Sequence, residues 1–216
     1  MSPRTKSAWG NPESHLFRFL RRVEAECSSR PHLCVVGCSD GKFVVPAARR
    51  GWRVTGVDID PRMLWGSAAI PRLGIGSPVL GLENRLIAEQ LLDRVTIYEG
   101  DFMELDIQPH DALWTSGCLQ YSANSHHHIS AMTKRLREIL KPGRLAFIEY
   151  MVPDEPKLIG RPNCPPTSWW RDAFPRQGWD VLSHRELLEQ RDLPHPYMPG
   201  PHRHSWGRVL ARRAAE

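Results

Sequence analysis

The segment from Leu33 to Asp60 constrains the fold of this chain more than any other. It begins with an apolar run, Leu33-Cys-Val-Val, followed by a turn bounded by Gly37 and Gly41. A second apolar run then ends in an acid at Asp58. A short apolar run that does not alternate is typical of a strand buried on both faces of a parallel sheet. The segment therefore predicts strand, turn, helix and strand, with backbone N–H groups of the turn directed at a ligand.

Strand and helix patterns alternate along nearly the whole chain. We expect strands at residues 33–36, 53–57, 94–98, 111–115, 144–150, 179–183 and 205–211. This pattern predicts an α/β fold, a Rossmann-like seven-stranded mostly parallel sheet with an antiparallel last strand and helices on both faces. We expect a flexible tail at residues 1–11 and a single domain at 12–216.

Several local signals predict where the helices begin and end. Asn11-Pro12 and Asp60-Pro61 are typical helix starts, and Lys141-Pro-Gly143 predicts a stop before strand five. The three histidines at 126–128 are expected in the first turn of a helix. The segment after residue 183 starts helix-like and ends as a loop rich in proline and histidine.

Bulk properties narrow the class of protein. The five cysteines form no CxxC pair, which favours reduced core thiols. Because no apolar run reaches the length of a membrane span and the N-terminus has no apolar signal core, we expect a cytoplasmic protein with no membrane partner. The net charge of +5 permits a nucleic-acid partner, but the basic residues are scattered, so we expect none.

Three interpretations compete for the turn between Gly37 and Gly41. A dinucleotide fold needs a second glycine where Ser39 stands, because a side chain there crowds a pyrophosphate. A hydrolase nucleophile elbow matches Gly37-Cys-Ser39-Asp-Gly41, but only one predicted helix precedes it. An S-adenosylmethionine (SAM) site tolerates Ser39, because this cofactor carries a methionine tail and no pyrophosphate.

Five motifs in order resemble one family. They are Val35-Val-Gly37-Cys-Ser-Asp-Gly41, Val57-Asp58-Ile-Asp60-Pro61-Arg-Met63-Leu64, Gly100-Asp101-Phe102, Leu140-Lys-Pro-Gly143 and the antiparallel terminal strand pair. From about residue 12 to 212 the chain resembles the class I SAM-dependent methyltransferases. The resemblance implies S-adenosyl-L-methionine as cofactor and S-adenosyl-L-homocysteine as product. The chain departs from the family's first motif at two positions, where Val36 replaces an acid and Ser39 replaces a glycine. Asp40 is expected to compensate for the missing acid.

The resemblance implies a cofactor site at the ends of the first four strands. Asp58 is expected to hold the ribose hydroxyls, Asp101 and Phe102 the adenine, and Ser116 and Gly117 the methionine end. The expected cofactor-binding residues are Gly37, Cys38, Ser39, Asp40, Gly41, Asp58, Ile59, Asp101, Phe102, Ser116 and Gly117.

Acceptor chemistry is expected just after strands four and five and in the loop before the last strand, because open parallel sheets bind ligands at these strand ends. The expected catalytic residues are Tyr121, Glu149, His127 and His204; we expect no metal site. Because the Asn/Asp-Pro-Pro-Tyr signature of base methylation is absent, we favour transfer to O, N or C of a small organic acceptor. An RNA methyltransferase and a SAM-binding protein with a non-methylating step, such as cyclisation, stay open, as does the oligomeric state.

Overall fold

The computed structural model describes residues 4–27, 29–69, 78–124, 126–153, 163–192 and 200–215. Its helices and strands are α1 (Ser14–Glu26), β1 (His32–Val36), α2 (Val44–Arg49), β2 (Arg53–Asp58), α3 (Pro61–Trp65), α4 (Leu82–Ala88), β3 (Val95–Glu99), β4 (His110–Ser116), α5 (Ile129–Glu138), β5 (Leu140–Val152), α6 (Thr167–Arg176), β6 (Trp179–Asp192) and β7 (His202–Arg213). Short 3-10 turns occupy Leu92–Arg94 and Leu119–Asn124. Residues 71–81 are rich in proline and glycine, which predicts a connecting segment, and most of them lie outside the described residues. Within the described part, no helix is long and apolar enough to cross a membrane.

The seven strands form one sheet in the order β3-β2-β1-β4-β5-β7-β6. Strands β1 and β3 each run parallel to β2, and β4 runs parallel to β5, whereas β7 is antiparallel to β5. The predicted seven-stranded, mostly parallel α/β fold with an antiparallel last strand is therefore confirmed.

The chain divides into two compact units, Met1–Leu105 with Asp192–His202 and Asp106–Arg191 with Arg203–Glu216. The predicted single domain at 12–216 stays a prediction. In the first unit, all four residues from Leu33 to Val36 are at most 1% exposed. This burial explains why the strand has no alternating pattern.

Helix α1 begins later than the sequence predicts. Its first residue is Ser14, and Glu13 holds the extended cap position with φ −73° and ψ 156°. The Lys42 Nζ atom lies 2.5 Å from Glu13 Oε1, and this ion pair accompanies the delayed start. The buried face of α1 contains Phe19, while Phe17 is half-buried.

Helix α5 ends at Glu138, before the predicted stop at Lys141-Pro-Gly143, and strand β5 begins at Leu140, so these three residues belong to the strand rather than to a turn that precedes it. The register with β4 shifts from His110–Leu140 to Ala112–Leu145, which places the three residues in an irregular part of the strand. Arginines of β7 support this irregularity. Arg212 Nη1 donates to the Gly143 carbonyl at 2.6 Å, and Arg213 Nη1 donates to the Leu140 carbonyl at 2.7 Å.

The helix-like prediction after residue 183 is also wrong, because β6 continues to Asp192. Two contacts to other strands hold this region extended. The Tyr150 hydroxyl lies 2.6 Å from His184 Nε2, and the Glu189 N–H donates to Ser205 Oγ at 2.9 Å. Such tertiary contacts override the helix propensity of residues 185–191.

Candidate functional site

The glycine loop, residues 37–41, is fixed to the end of β2. The N–H groups of Gly37 and Cys38 donate to the Val57 carbonyl at 2.9 and 3.0 Å. Gly41 has φ +86°, and a Cβ there would lie 2.5 Å from Leu82 Cδ1. Only glycine therefore fits at position 41, which explains one of the two glycines that the motif contains.

Ser39 has φ +47°, an uncommon backbone conformation for a residue other than glycine. Its N–H donates to Asp58 Oδ2 at 2.7 Å, which ties the loop to the end of β2. The hydroxyl Oγ is buried and has no hydrogen-bond partner within the described residues. A strained residue with an unpaired buried hydroxyl is typical of a ligand site.

Asp58 and Asp60 have separate roles, as the sequence predicts. Asp60 caps α3 by accepting from the Arg62 N–H at 3.0 Å, with Pro61 at the first helical position. Asp58 accepts from the N–H groups of Ser39 and Asp60 at 2.7 and 2.9 Å. Burial raises the pKa of Asp58. A carboxylate has about four acceptor positions, so positions remain for a diol.

Three other predicted cofactor residues lie near this strand end. Ile59 is 58% exposed directly after Asp58, whereas Phe102 is buried. Asp101 Oδ1 accepts from the Met103 N–H at 2.9 Å and so stabilises a turn. The structure therefore gives Asp101 a local role, and its contact with adenine stays a prediction.

Asp40 is oriented toward the N-terminal segment. Its carboxylate is 1% exposed and accepts from Ser7 Oγ and the Ala8 N–H, both at 2.6 Å. Arg85 Nη1 donates to the Asp40 carbonyl at 2.5 Å. The sequence does not indicate Ser7 and Arg85 as partners of residue 40, because no local pattern connects them.

In the second unit, the end of β4 lies beside a buried carboxylate that two polar side chains bind. Ser116 Oγ donates to Glu149 Oε1 at 2.7 Å, and Arg208 Nε donates to Glu149 Oε2. Glu149 is 6% exposed, and it lies directly opposite Arg208 in the β5–β7 register. Arg208 was missed, although the antiparallel pairing of β5 with β7 would have indicated it.

The turn after β4 presents one unpaired polar oxygen. Gly117 has φ +62°, and the Gln120 carboxamide donates to its carbonyl at 2.8 Å. Asn163 Nδ2 donates to the Gln120 carbonyl, while the buried Gln120 Oε1 has no partner within the described residues. The Trp206 ring lies 3.6 Å from the position that a Cβ at Gly117 would take.

The other predicted catalytic residues lie at different places in this unit. Tyr121 is 46% exposed, and partial burial raises the pKa of its phenol. His127 is half-buried before α5, which His128 caps, so the prediction of a histidine run in the first helical turn is wrong. The buried His204 packs edge-on against Trp206 with ring centroids 5.7 Å apart.

Tyr150 belongs to an aromatic cluster. It stacks on the buried Trp170 with ring centroids 4.0 Å apart, and its hydroxyl contacts His184. Burial raises the pKa of Tyr150, and burial together with Arg171 lowers the pKa of His184. These contacts show that Trp170 has a packing role. Within the part of the chain that the structure describes, no three histidine, cysteine or acidic side chains form a metal site.

The strand order defines the class as a Rossmann-like methyltransferase fold, and comparison with known proteins identifies the family. Residues 34–148 match the family described as methyltransferase domain, which is more than half of the chain. The chain belongs to the class I SAM-dependent methyltransferases. No curated protein sequence matches it. The match supports SAM as the cofactor, as the sequence predicts.

Solved structures share the fold at low sequence identity. A SAM-dependent methyltransferase from Methanosarcina mazei is 12% identical with a TM-score of 0.67, and the match covers 95% of this chain and 100% of that one. A [4+2]-cyclase is 14% identical with a TM-score of 0.65, covering 92% and 82%. Magnesium protoporphyrin IX methyltransferase from Synechocystis, with bound SAM, is 16% identical with a TM-score of 0.60, covering 96% and 88%.

Proposed function

We propose that this chain is a methyltransferase that transfers the methyl group of SAM to O, N or C of a small organic acceptor. The observation that carries the proposal is the contact between the Ser39 N–H and Asp58 Oδ2. It fixes a strained glycine loop beside an acid that can accept two ribose hydroxyls. The unpaired Ser39 hydroxyl and the Gly41 turn fit a bound nucleoside with an amino-acid tail.

The residues proposed to hold the cofactor follow from this geometry. Asp58 accepts the ribose hydroxyls, Ser39 Oγ faces the methionine tail, and Ile59 and Phe102 flank the adenine. Asp101, Ser116 and Gly117 remain proposed contacts on family resemblance. The carboxylate of Asp40 acts on the loop rather than on the cofactor, because it is 1% exposed and accepts from Ser7 and Ala8 of the N-terminal segment.

When bound, SAM supplies an electrophilic methyl carbon on a sulfonium that leaves with the bonding electron pair as a neutral thioether. The acceptor lone pair forms the new bond, and the acceptor proton passes to a base or to water. The protein aligns the reacting atoms. Tyr121, His127 and His204 are the proposed acceptor contacts. Glu149 is proposed to orient Ser116, because its oxygens accept from Ser116 and Arg208.

The contacts of two arginines favour a small acceptor over a nucleic acid. Arg212 and Arg213 donate to backbone carbonyls at 2.6 and 2.7 Å, so they stabilise β5. Gln120 Oε1 offers one buried acceptor atom for a ligand hydroxyl or amine, and the Gln120 carboxamide and the Trp206 ring both lie close to Gly117. Single polar atoms among aromatic walls are typical of small-molecule sites.

Turnover with SAM tests this function. The protein is incubated with SAM carrying a ¹³C-methyl group and with pools of phenols, amines and carboxylic acids, and in a parallel reaction with RNA. Mass spectrometry should detect an acceptor heavier by one labelled methyl group, together with an equal amount of S-adenosylhomocysteine. Labelled RNA without any labelled small molecule would contradict the proposal.

A non-methylating step is the second candidate, because the fold matches that of a [4+2]-cyclase with a TM-score of 0.65. In that case the protein binds SAM but leaves it unconsumed. The same experiment separates the two functions, because only methyl transfer produces S-adenosylhomocysteine in proportion to product.

A further inference from the structure

The N-terminal strap, residues 5–8, is held at two points of the first unit. At one point Ser7 and Ala8 bind the carboxylate of Asp40. At the other, the N–H and the hydroxyl of Thr5 both donate to Glu89 Oε1, at 2.8 and 2.6 Å. A segment that the sequence predicts as part of a flexible tail therefore makes specific contacts with buried acids.

The first contact acts on the glycine loop itself, because Asp40 stands between Ser39 and Gly41. Both Asp40 oxygens accept from the strap at 2.6 Å, and the residue is 1% exposed. Hydrogen bonds to a carboxylate are stronger than those between neutral groups. Loss of the Ser7 hydroxyl would leave this buried carboxylate with one donor fewer, which is unfavourable.

Arg85 joins the two contacts. It is 3% exposed, its Nη1 donates to the Asp40 carbonyl, and its Nε donates to Thr5 Oγ at 3.0 Å. Arg49 binds both oxygens of Glu89, at 2.5 and 2.6 Å. Arg49 and Thr5 lower the pKa of Glu89 to about 2, although burial opposes the shift. The strap is therefore part of one network of charged groups that ends in the glycine loop.

Ser7 has an additional role within the strap. Its hydroxyl accepts from the Trp9 N–H at 3.0 Å while it donates to Asp40. Its carbonyl accepts from the Gly10 N–H at 3.1 Å. One residue thus sets the turn of the strap and the orientation of Asp40 together.

We propose that Ser7, through Asp40, is a positioning residue for the SAM-binding loop. The strap holds Asp40, and Asp40 keeps Ser39 and Gly41 in the left-handed conformation from which the Ser39 hydroxyl reaches the ligand. The inference rests on the proposed function, because it assigns the loop to SAM. It adds a requirement outside the family motif, that the strap be bound for the loop to bind cofactor.

Isothermal titration calorimetry with S-adenosylhomocysteine tests the proposal on the full chain. Ser7→Ala should raise Kd about 10-fold, because it removes a hydrogen bond to a buried charged group. Ser7→Thr keeps the hydroxyl and should restore Kd to within about twofold. Arg4→Ala, at an exposed position just before the strap, is the matched control and should leave Kd unchanged.

The outcomes separate this inference from the proposed function. If the wild-type protein binds no S-adenosylhomocysteine, the proposed function is wrong. If the wild type binds and Ser7→Ala binds equally well, the strap inference is overturned. If Ser7→Ala fails to fold, hydrogen exchange of the wild-type protein tests the strap inference instead. The Ala8 amide should exchange more slowly with S-adenosylhomocysteine bound, and an unchanged rate overturns the inference.

Discussion

The hydroxyl of Tyr150 lies 2.6 Å from His184 Nε2, and the backbone of Gly207 lies against the tyrosine ring. A Cβ at Gly207 would be 2.0 Å from the ring atom Cζ of Tyr150. Because Tyr150 and Gly207 are paired across β5 and β7, this contact is built into the register of the sheet. Because Gly207 has no side chain, Tyr150 of β5 can contact His184 of β6.

Gly207→Ala should therefore destabilise the protein by about 3 kcal/mol, the cost of forcing extra volume into a packed core. Gly200→Ala is the matched control, since a Cβ there meets nothing within 4 Å. Urea unfolding measures both. Equal midpoints for the two variants would show that Tyr150 moves aside at no cost.

His184 should make stability depend on pH. Its folded-state pKa is lowered by burial and Arg171, with Glu186 opposing. The folded state therefore binds fewer protons than the unfolded state, and the free energy of unfolding should fall as pH drops below about 6.5, the unfolded value. In His184→Gln, the free energy of unfolding should change less with pH between pH 7.5 and 5.5 than it does in the wild type. An identical slope contradicts the assignment.

The ion pair between Glu149 and Arg208 predicts a non-additive mutant cycle. Arg208→Met leaves the carboxylate buried without its cation and should cost about 3 kcal/mol. Adding Glu149→Gln should recover part of that loss, because the remaining group is neutral. Chemical unfolding of the two single variants and the double variant measures the coupling. Additive losses would mean that Arg208 contributes through packing alone.

Two substitutions of Ser39 test its proposed ligand contact and its backbone strain separately. Ser39→Ala removes Oγ, which has no partner in the described part of the chain, so the unfolding free energy should change by at most about 0.5 kcal/mol. Affinity for S-adenosylhomocysteine should nevertheless fall about fivefold, the loss of about one hydrogen bond. Ser39→Gly should add stability by relieving φ +47°. Unchanged affinity in Ser39→Ala would remove Ser39 Oγ from the proposed site.

The sequence predicts the parts of the structure that depend on near neighbours. Asp60 and Pro61 define the start of α3 because the cap and the capped N–H are two residues apart. The buried strands β1 and β2 follow from continuous apolar runs. The same local spacing assigns the cap of α3 to Asp60 rather than to Asp58.

The parts that could not be predicted depend on residues far apart in the chain. Ser7 and Asp40 are 33 positions apart, and Glu149 and Arg208 are 59 positions apart. The helix-forming residues of β6 become a strand because β7 supplies partners that no local pattern reveals. The contacts of Asp40 with Ser7 and Ala8 are not predicted from the sequence for the same reason.

The central claim is tested most directly by thermal unfolding with S-adenosylhomocysteine and, in parallel, NAD. We expect S-adenosylhomocysteine at 100 times its Kd to raise the unfolding free energy by about 2.7 kcal/mol. Asp58→Ala should abolish most of this shift, whereas Glu83→Ala, at a half-buried acid of α4, should keep it. A shift with NAD and none with S-adenosylhomocysteine would contradict the account.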